Sequence, residues 1–190
     1  MTARIVVTEF VSLDGVMQAP GGEPFKYPGW TFEFDRGEDG NQFKLDETRQ
    51  TDALLIGRRT YESFAGAWPT YRGEFADRMN GMPKVVVSST LTDPEWSNTT
   101  VLSGDPVEGV RRLKAEGDGR IVVGGSRTLV HALLDADLVD ELRVMVVPVT
   151  IGSGLRLFPD TTRKRRWTMT DSQTFPSRVR VDTYVAEVMA

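Results

Sequence analysis

Short runs of β-branched and aliphatic residues recur along the chain, separated by stretches whose apolar positions follow helical spacing. Ile5 to Val11, Asp52 to Ile56, Lys84 to Val87, Val101-Leu102 and Arg120 to Val123 read as buried strands. Glu141 to Val149 is a longer β-rich run. Trp167 to Phe175 and Val179 to Val188 alternate in period two around Pro176-Ser177, which predicts a terminal hairpin. Helices are predicted over Gln42 to Gln50, with Phe43 and Leu45 turned inward, from Thr60 to a stop at Ala67-Trp68-Pro69, and over Gly73 to Asn80. A further helix follows Asp105, with Pro106 at its first position, Glu108 at its third and a stop at Gly117. The last, over Arg127 to Ala136, packs through Leu129, Val130, Leu133 and Leu134. Strand and helix in alternation, closed by a β-rich end, predict one α/β domain over residues 1–190. Its sheet is mostly parallel, flanked by helices, with an antiparallel C-terminal edge.

In a parallel sheet the carboxyl ends of the strands line up, and ligands bind there. Three of these ends carry anion-binding chemistry. Ile121-Val122-Val123 runs into Gly124-Gly125-Ser126-Arg127, where glycines expose backbone N–H groups at a helix start. Leu54-Leu55-Ile56 runs into Gly57-Arg58-Arg59-Thr60, where arginine forks suit phosphate oxygens and Thr60 supplies a hydroxyl while capping the helix. Val87 runs into Ser88-Ser89, whose hydroxyls suit a ribose or its phosphate. Each has a bland alternative: a tight turn, a solvated helix start, a satisfied turn. Together they suggest a nucleotide with several phosphates.

Asp14 lies in the Ser12-Leu13-Asp14-Gly15 turn that ends the first strand. It is a candidate for substrate contact or for proton delivery through water; the alternative is an aspartate that bonds local N–H groups. Between Gln18 and Gly40, prolines and glycines break regular structure while Phe25, Tyr27, Trp30, Phe32 and Phe34 are strewn among them. Phe25, Tyr27 and Trp30 are expected to wall a substrate pocket, with pinning of the loop to the core as the alternative.

Composition narrows the classes. The net charge of −4 gives no electrostatic capture of nucleic acid. There is no cysteine and a single histidine, His131, so no metal site is expected, nor a cysteine nucleophile or a serine–histidine pair. Met1 to Val7 enters a strand pattern at once, without the charged and long apolar regions of a signal peptide, and a cytoplasmic protein is expected. Gly152-Ser153-Gly154 reads as a loop, and Arg163-Lys164-Arg165-Arg166 as a solvated basic turn.

The ordered set Gly57-Arg58-Arg59-Thr60-Tyr61-Glu62-Ser63, Val87-Ser88-Ser89 and Val123-Gly124-Gly125-Ser126 resembles the dihydrofolate reductase superfamily. Ser12-Leu13-Asp14-Gly15 and Leu138-Val139-Asp140-Glu141-Leu142, with Pro148 and Gly152-Ser153-Gly154, resemble its branch related to the reductase domain of the riboflavin-biosynthesis deaminase-reductase. The resemblance implies an NADPH-binding fold. Arg58, Arg59 and Thr60 would hold cofactor phosphates, Ser88 and Ser89 would lie near the ribose 2′-phosphate, and Gly124, Gly125, Ser126 and Arg127 would meet the pyrophosphate. It also implies a cis Gly124–Gly125 bond and a homodimer joined through the β-rich C-terminal region. The implied reaction is hydride transfer to a C=N or C=O bond of a small polar heterocycle or sugar-like compound, as in reduction of 5-amino-6-(5-phosphoribosylamino)uracil. Where dihydrofolate reductases place a pterin-gripping carboxylate, the matching position falls near Asn41, so dihydrofolate itself is disfavoured. A non-catalytic NADP(H)-binding sensor or scaffold remains open beside the reductase.

Overall fold

The computed structural model describes residues 2–160 and 164–187. Arg163, first of the basic cluster, and Val188, last of the expected hairpin, lie outside the described residues. Five parallel strands form most of the sheet: β1 (Arg4–Ser12), β2 (Ala53–Gly57), β3 (Lys84–Val87), β4 (Thr99–Leu102) and β5 (Arg120–Gly124). They are joined on the far side of β1 by β6 (Glu141–Val147), also parallel, and by the hairpin β7 (Trp167–Thr174) and β8 (Arg180–Ala186). The order across the eight strands is β4-β3-β2-β5-β1-β6-β8-β7. Pairing of β6 with β8 is antiparallel, so the C-terminal edge reverses direction as the alternating pattern predicted.

Among the described residues five α-helices cover the sheet: α1 (Gly37–Arg49), α2 (Arg58–Ala67), α3 (Glu74–Gly81), α4 (Pro106–Glu116) and α5 (Arg127–Asp135). Strand side chains alternate between faces. Ile5, Val7, Leu55, Val123 and Leu142 therefore pack against Val110 of α4 and Leu129, Val130 and Leu133 of α5. Leu54, Ile56 and Val86 face the other way, onto Tyr61 of α2 and Met79 of α3. Lys84 is buried beside them; its ammonium donates to the carbonyls of Asn80, Met82 and Ser97 and lies 4.3 Å from the Trp96 ring centre. Helix α1 shares that second face, with Phe43 edge-on to Phe175.

Helix α1 starts at Gly37, five residues before the expected start. Gly40, which reads as a breaker, is inside it, and the position is close-packed: a Cβ there would lie 2.7 Å from the Arg36 Cβ and 3.3 Å from the Phe175 ring. The helix buries Glu47 and Thr48, while Leu45 is only half-buried, so its inward face is partly polar. No helix among the described residues is long and apolar enough to cross a membrane.

Candidate functional site

Strand β5 ends where Gly124 pairs with Thr8, but β1 continues to Ser12 beside β6. Helices α2 and α5 start at the carboxyl ends of the neighbouring strands β2 and β5. The two starts are locked together. The Thr60 hydroxyl accepts from the Ser126 N–H at 2.9 Å, and the Ser126 hydroxyl accepts from the Gly57 N–H at 2.9 Å. Thr60 was expected to cap its own helix; instead α2 begins two residues earlier, at Arg58, and Thr60 spends its oxygen across the gap.

The turn itself is left-handed. Gly125 has φ +61° and Ser126 φ +56°. A Cβ on Gly125 would sit 3.0 Å from the Thr60 hydroxyl, so glycine is required for both conformation and closeness. The cis Gly124–Gly125 bond that the resemblance implied is not present: among the described residues every peptide is trans, and paired left-handed residues make the turn.

Among the described residues no side chain caps the N–H groups of α2 or α5. Neither helix has an acid in its first turn, whereas α1, α3 and α4 carry Glu38 and Asp39, Glu74 and Asp77, and Glu108. The first turns of α2 and α5 hold Arg58, Arg59 and Arg127 instead. A cation there opposes the helix dipole by about 0.3–1 kcal/mol each. Arg58 pairs with Glu62 at 2.7 Å and reaches the Thr90 hydroxyl at 2.5 Å, bridging α2 to the turn after β3. In that turn Ser88 accepts from the N–H groups of Thr90 and Leu91, while Arg59 and Ser89 are exposed. Arg127 donates to the Arg156 carbonyl. The expected anion-binding residues thus gather at one edge.

Asp14 is occupied. Its carboxylate accepts from the Ser12 hydroxyl at 2.6 Å and from the N–H groups of Ile151 at 3.1 Å and Gly152 at 2.8 Å. The Ser12 hydroxyl and these N–H groups hold it at about 2, below the ordinary carboxylate value, so it is ionised at neutral pH. This geometry makes Asp14 a tie between the turn after β1 and the loop between β6 and β7, through N–H groups distant in sequence and not the local ones of its own turn.

The aromatic loop divides. Trp30 is 1% exposed, packs with Met145, Val147 and Phe175, and donates its indole N–H to the Gln18 carbonyl. It is a core residue and not a pocket wall, because the loop folds back over the sheet and buries its largest ring. Phe25 stays half-buried, edge-on to the exposed Tyr27 and against Gly154. Glu23 accepts from the Ser63 hydroxyl of α2, so the loop spans toward the phosphate-type edge.

Asn41 is exposed and accepts from Arg36, so it grips nothing in the fold. The buried carboxylate of α1 is Glu47, which sequence reasoning missed because α1 carries few apolar residues. It bonds the Thr8 hydroxyl at 3.1 Å, pairs with Lys44 and lies 3.4 Å from Arg143. Burial pushes its carboxyl up, but Lys44, Arg143 and Thr8 bring it below the ordinary value. Glu47 and Arg143 floor an open, polar recess of about 370 Å³ between α1 and the C-terminal strands. His131 donates its Nε2–H to the Leu157 carbonyl at 2.9 Å.

A second missed acid lies on β1. Glu9 is 5% exposed, and its Oε1 has no hydrogen-bond partner among the described residues. Burial pushes its carboxyl well above the ordinary value, against the opposing effect of the Gly125 N–H.

The comparisons agree with this architecture. The family model for the RibD C-terminal domain matches residues 3–181. The uncharacterized protein YwjB of Bacillus subtilis (strain 168) is 26% identical over 181 residues, covering 95% of this chain and 97% of that protein. The crystal structure of a putative riboflavin biosynthesis protein from Shewanella sp. PV-4 superposes with TM-score 0.77 at 21% identity, over 98% of this chain and 99% of that one. Dihydrofolate reductase from Enterococcus faecalis, complexed with NADP(H), superposes with TM-score 0.62 at 16% identity, over 98% and 99%. These structural likenesses establish a dihydrofolate reductase-like fold.

Proposed function

Because the chain belongs to the RibD C-terminal domain family, we propose that it is an NADPH-dependent reductase. Its substrate is a small polar heterocycle or sugar-like compound, reduced at a C=N or C=O bond. The observation that carries the cofactor reading is the reversed charge at two adjacent helix starts. Arginines occupy first turns where the other three helices place acids. Such an arrangement costs the free fold stability and is offset by a bound anion.

The residues present fit NADPH. Gly124, Gly125 and Ser126 form a cradle that a Cβ at Gly125 would crowd, and with Arg127 they receive the pyrophosphate. Arg58, Arg59 and Thr60 hold phosphate oxygens. Arg58 also spans to Thr90, beside Ser88 and Ser89, and this pairing of a cation with hydroxyls supports a preference for a 2′-phosphate over a 2′-hydroxyl. The cofactor, when bound, supplies the hydride. The chain's own residues bind and orient: Asp14 fixes the loop after β6 against the first turn, Phe25 and Tyr27 rim the substrate side, and Trp30 anchors their loop from beneath. A homodimer through the C-terminal strands and a cytoplasmic location belong to the same reading. The exposure of nearly all of β7, an edge strand, supports the former.

Loss of nicotinamide absorbance, followed with panels of pterins, aminopyrimidine ribosides and quinones, tests the activity. Turnover with at least one compound is expected. NADPH that binds yet is oxidised by none overturns the reductase in favour of an NADP(H)-binding sensor or scaffold.

A further inference from the structure

Glu9 interrupts the inward phase of β1. Ile5, Val7 and Val11 all lie in the core under α4 and α5, and Glu9 shares their face. Its neighbour across β6 is Val144, also in that core. It is the first residue of β1 beyond the last pairing with β5, so its side chain comes up under the turn that follows β5. The Gly125 N–H bears on its carboxyl there, while Oε1 stays unpartnered in an apolar setting. An ionised carboxylate with one free oxygen is costly in such a place, and a neutral acid is far less so.

We propose that Glu9 is a positioning residue of the Gly124-Gly125-Ser126 anion site, supporting the turn as a neutral acid, so that a diphosphate ligand and the Glu9 proton bind together. This rests on the cofactor reading above and adds a requirement to it. A phosphate held on the α5 start and a negative charge on Glu9 beneath the same turn repel each other across a poorly screened gap. Binding therefore favours the protonated form, and ionisation of Glu9 weakens binding.

The other charges around Glu9 do not replace this linkage. Lys44 and Glu47, on α1 across the sheet, act on it with opposite signs. Arg143 of β6 is committed to Glu47 and Glu141. Arg127 and His131 of α5 are turned to the carbonyls of Arg156 and Leu157.

Calorimetric titration with NADPH, from neutral pH upward to the alkaline limit of the fold, on wild type and Glu9→Gln tests the proposal. Glutamine keeps an acceptor for the Gly125 N–H and a donor, but cannot ionise. Each protein's affinity at neutral pH serves as its own reference. Wild type then loses affinity relative to the variant by up to about tenfold per pH unit once Glu9 ionises. A second measurement needs no variant. Titration of wild type over the same pH range, in two buffers of different ionisation heat at each pH, is expected to show proton uptake on binding toward its alkaline end. Parallel pH profiles for the two proteins, or no proton uptake, overturn this inference alone. Failure of both proteins to bind NADPH at pH 7 overturns the cofactor reading and this inference with it.

Discussion

Helix α4 begins with Asp105 accepting from the N–H groups of Val107 and Glu108, both at 2.9 Å, and with Glu108 in its first turn. Helices α2 and α5 begin with left-over N–H groups and arginines, tied to each other through Thr60 and Ser126. All three follow a parallel strand, so topology does not explain the contrast. The start of α4 is completed by the chain's own carboxylate. Those of α2 and α5 have no carboxylate of the chain's own in the first turn, and on the proposed reading the cofactor phosphates would complete them. The two kinds of helix start differ in the sign of their first-turn charges.

The largest expected effect comes from removing the cations. Arg58→Ala combined with Arg59→Ala should lower NADPH affinity by at least about 100-fold and erase preference over NADH, since charge-assisted hydrogen bonds contribute about 1.5–3 kcal/mol each. Calorimetry reads both quantities, and an unchanged preference would place the 2′-phosphate elsewhere. Making α5 resemble α4 should act in two directions. Thr128→Glu puts an acid in the first turn, which should stabilise the ligand-free fold by about 0.3–1 kcal/mol and weaken NADPH by about tenfold. Thermal melts with and without NADPH separate the two effects. Making α4 resemble α5 by Asp105→Ala should cost about 1 kcal/mol of stability and leave NADPH affinity unchanged. A loss of affinity there would show that the two kinds of helix start are not independent.

The smallest effect is acid stability at Asp14. Its carboxyl is held at about 2, below the ordinary 3.8, by the Ser12 hydroxyl and the Ile151 and Gly152 N–H groups. The folded form therefore binds the proton less readily than the unfolded one. The contribution is complete above about pH 4 and disappears as pH falls through about 2. Denaturant melts of wild type and Asp14→Asn should differ at neutral pH and converge across that window. A gap that persists at the acid end would assign the difference to something other than the carboxylate.

Much of this was legible from residue order. Strand positions, the Asp105 cap, the terminal hairpin and the gathering of Gly57, Arg58, Ser88 and Gly124 at one edge follow from periodicity and from what a parallel sheet does with its strand ends. The acids were not. Glu47 sits on a helix with few apolar residues, so no stripe marked its inward face. Glu9 did leave a signal: it falls in phase with Val7 and Val11, where a strand buried on that face calls for a hydrophobe. Trp30 was misread because an aromatic in a proline- and glycine-rich loop has the same sequence signature whether it walls a pocket or plugs the core. Its indole bond to Gln18 depends on a fold-back that local residues do not specify.

The central claim is that the starts of α2 and α5 form one site for a dinucleotide bearing an additional phosphate. Calorimetric titration of the wild-type protein with NADPH and with NADH tests it most directly. Micromolar binding of NADPH and much weaker binding of NADH is the predicted result. Binding of neither nucleotide, or equal binding of both, would contradict the account.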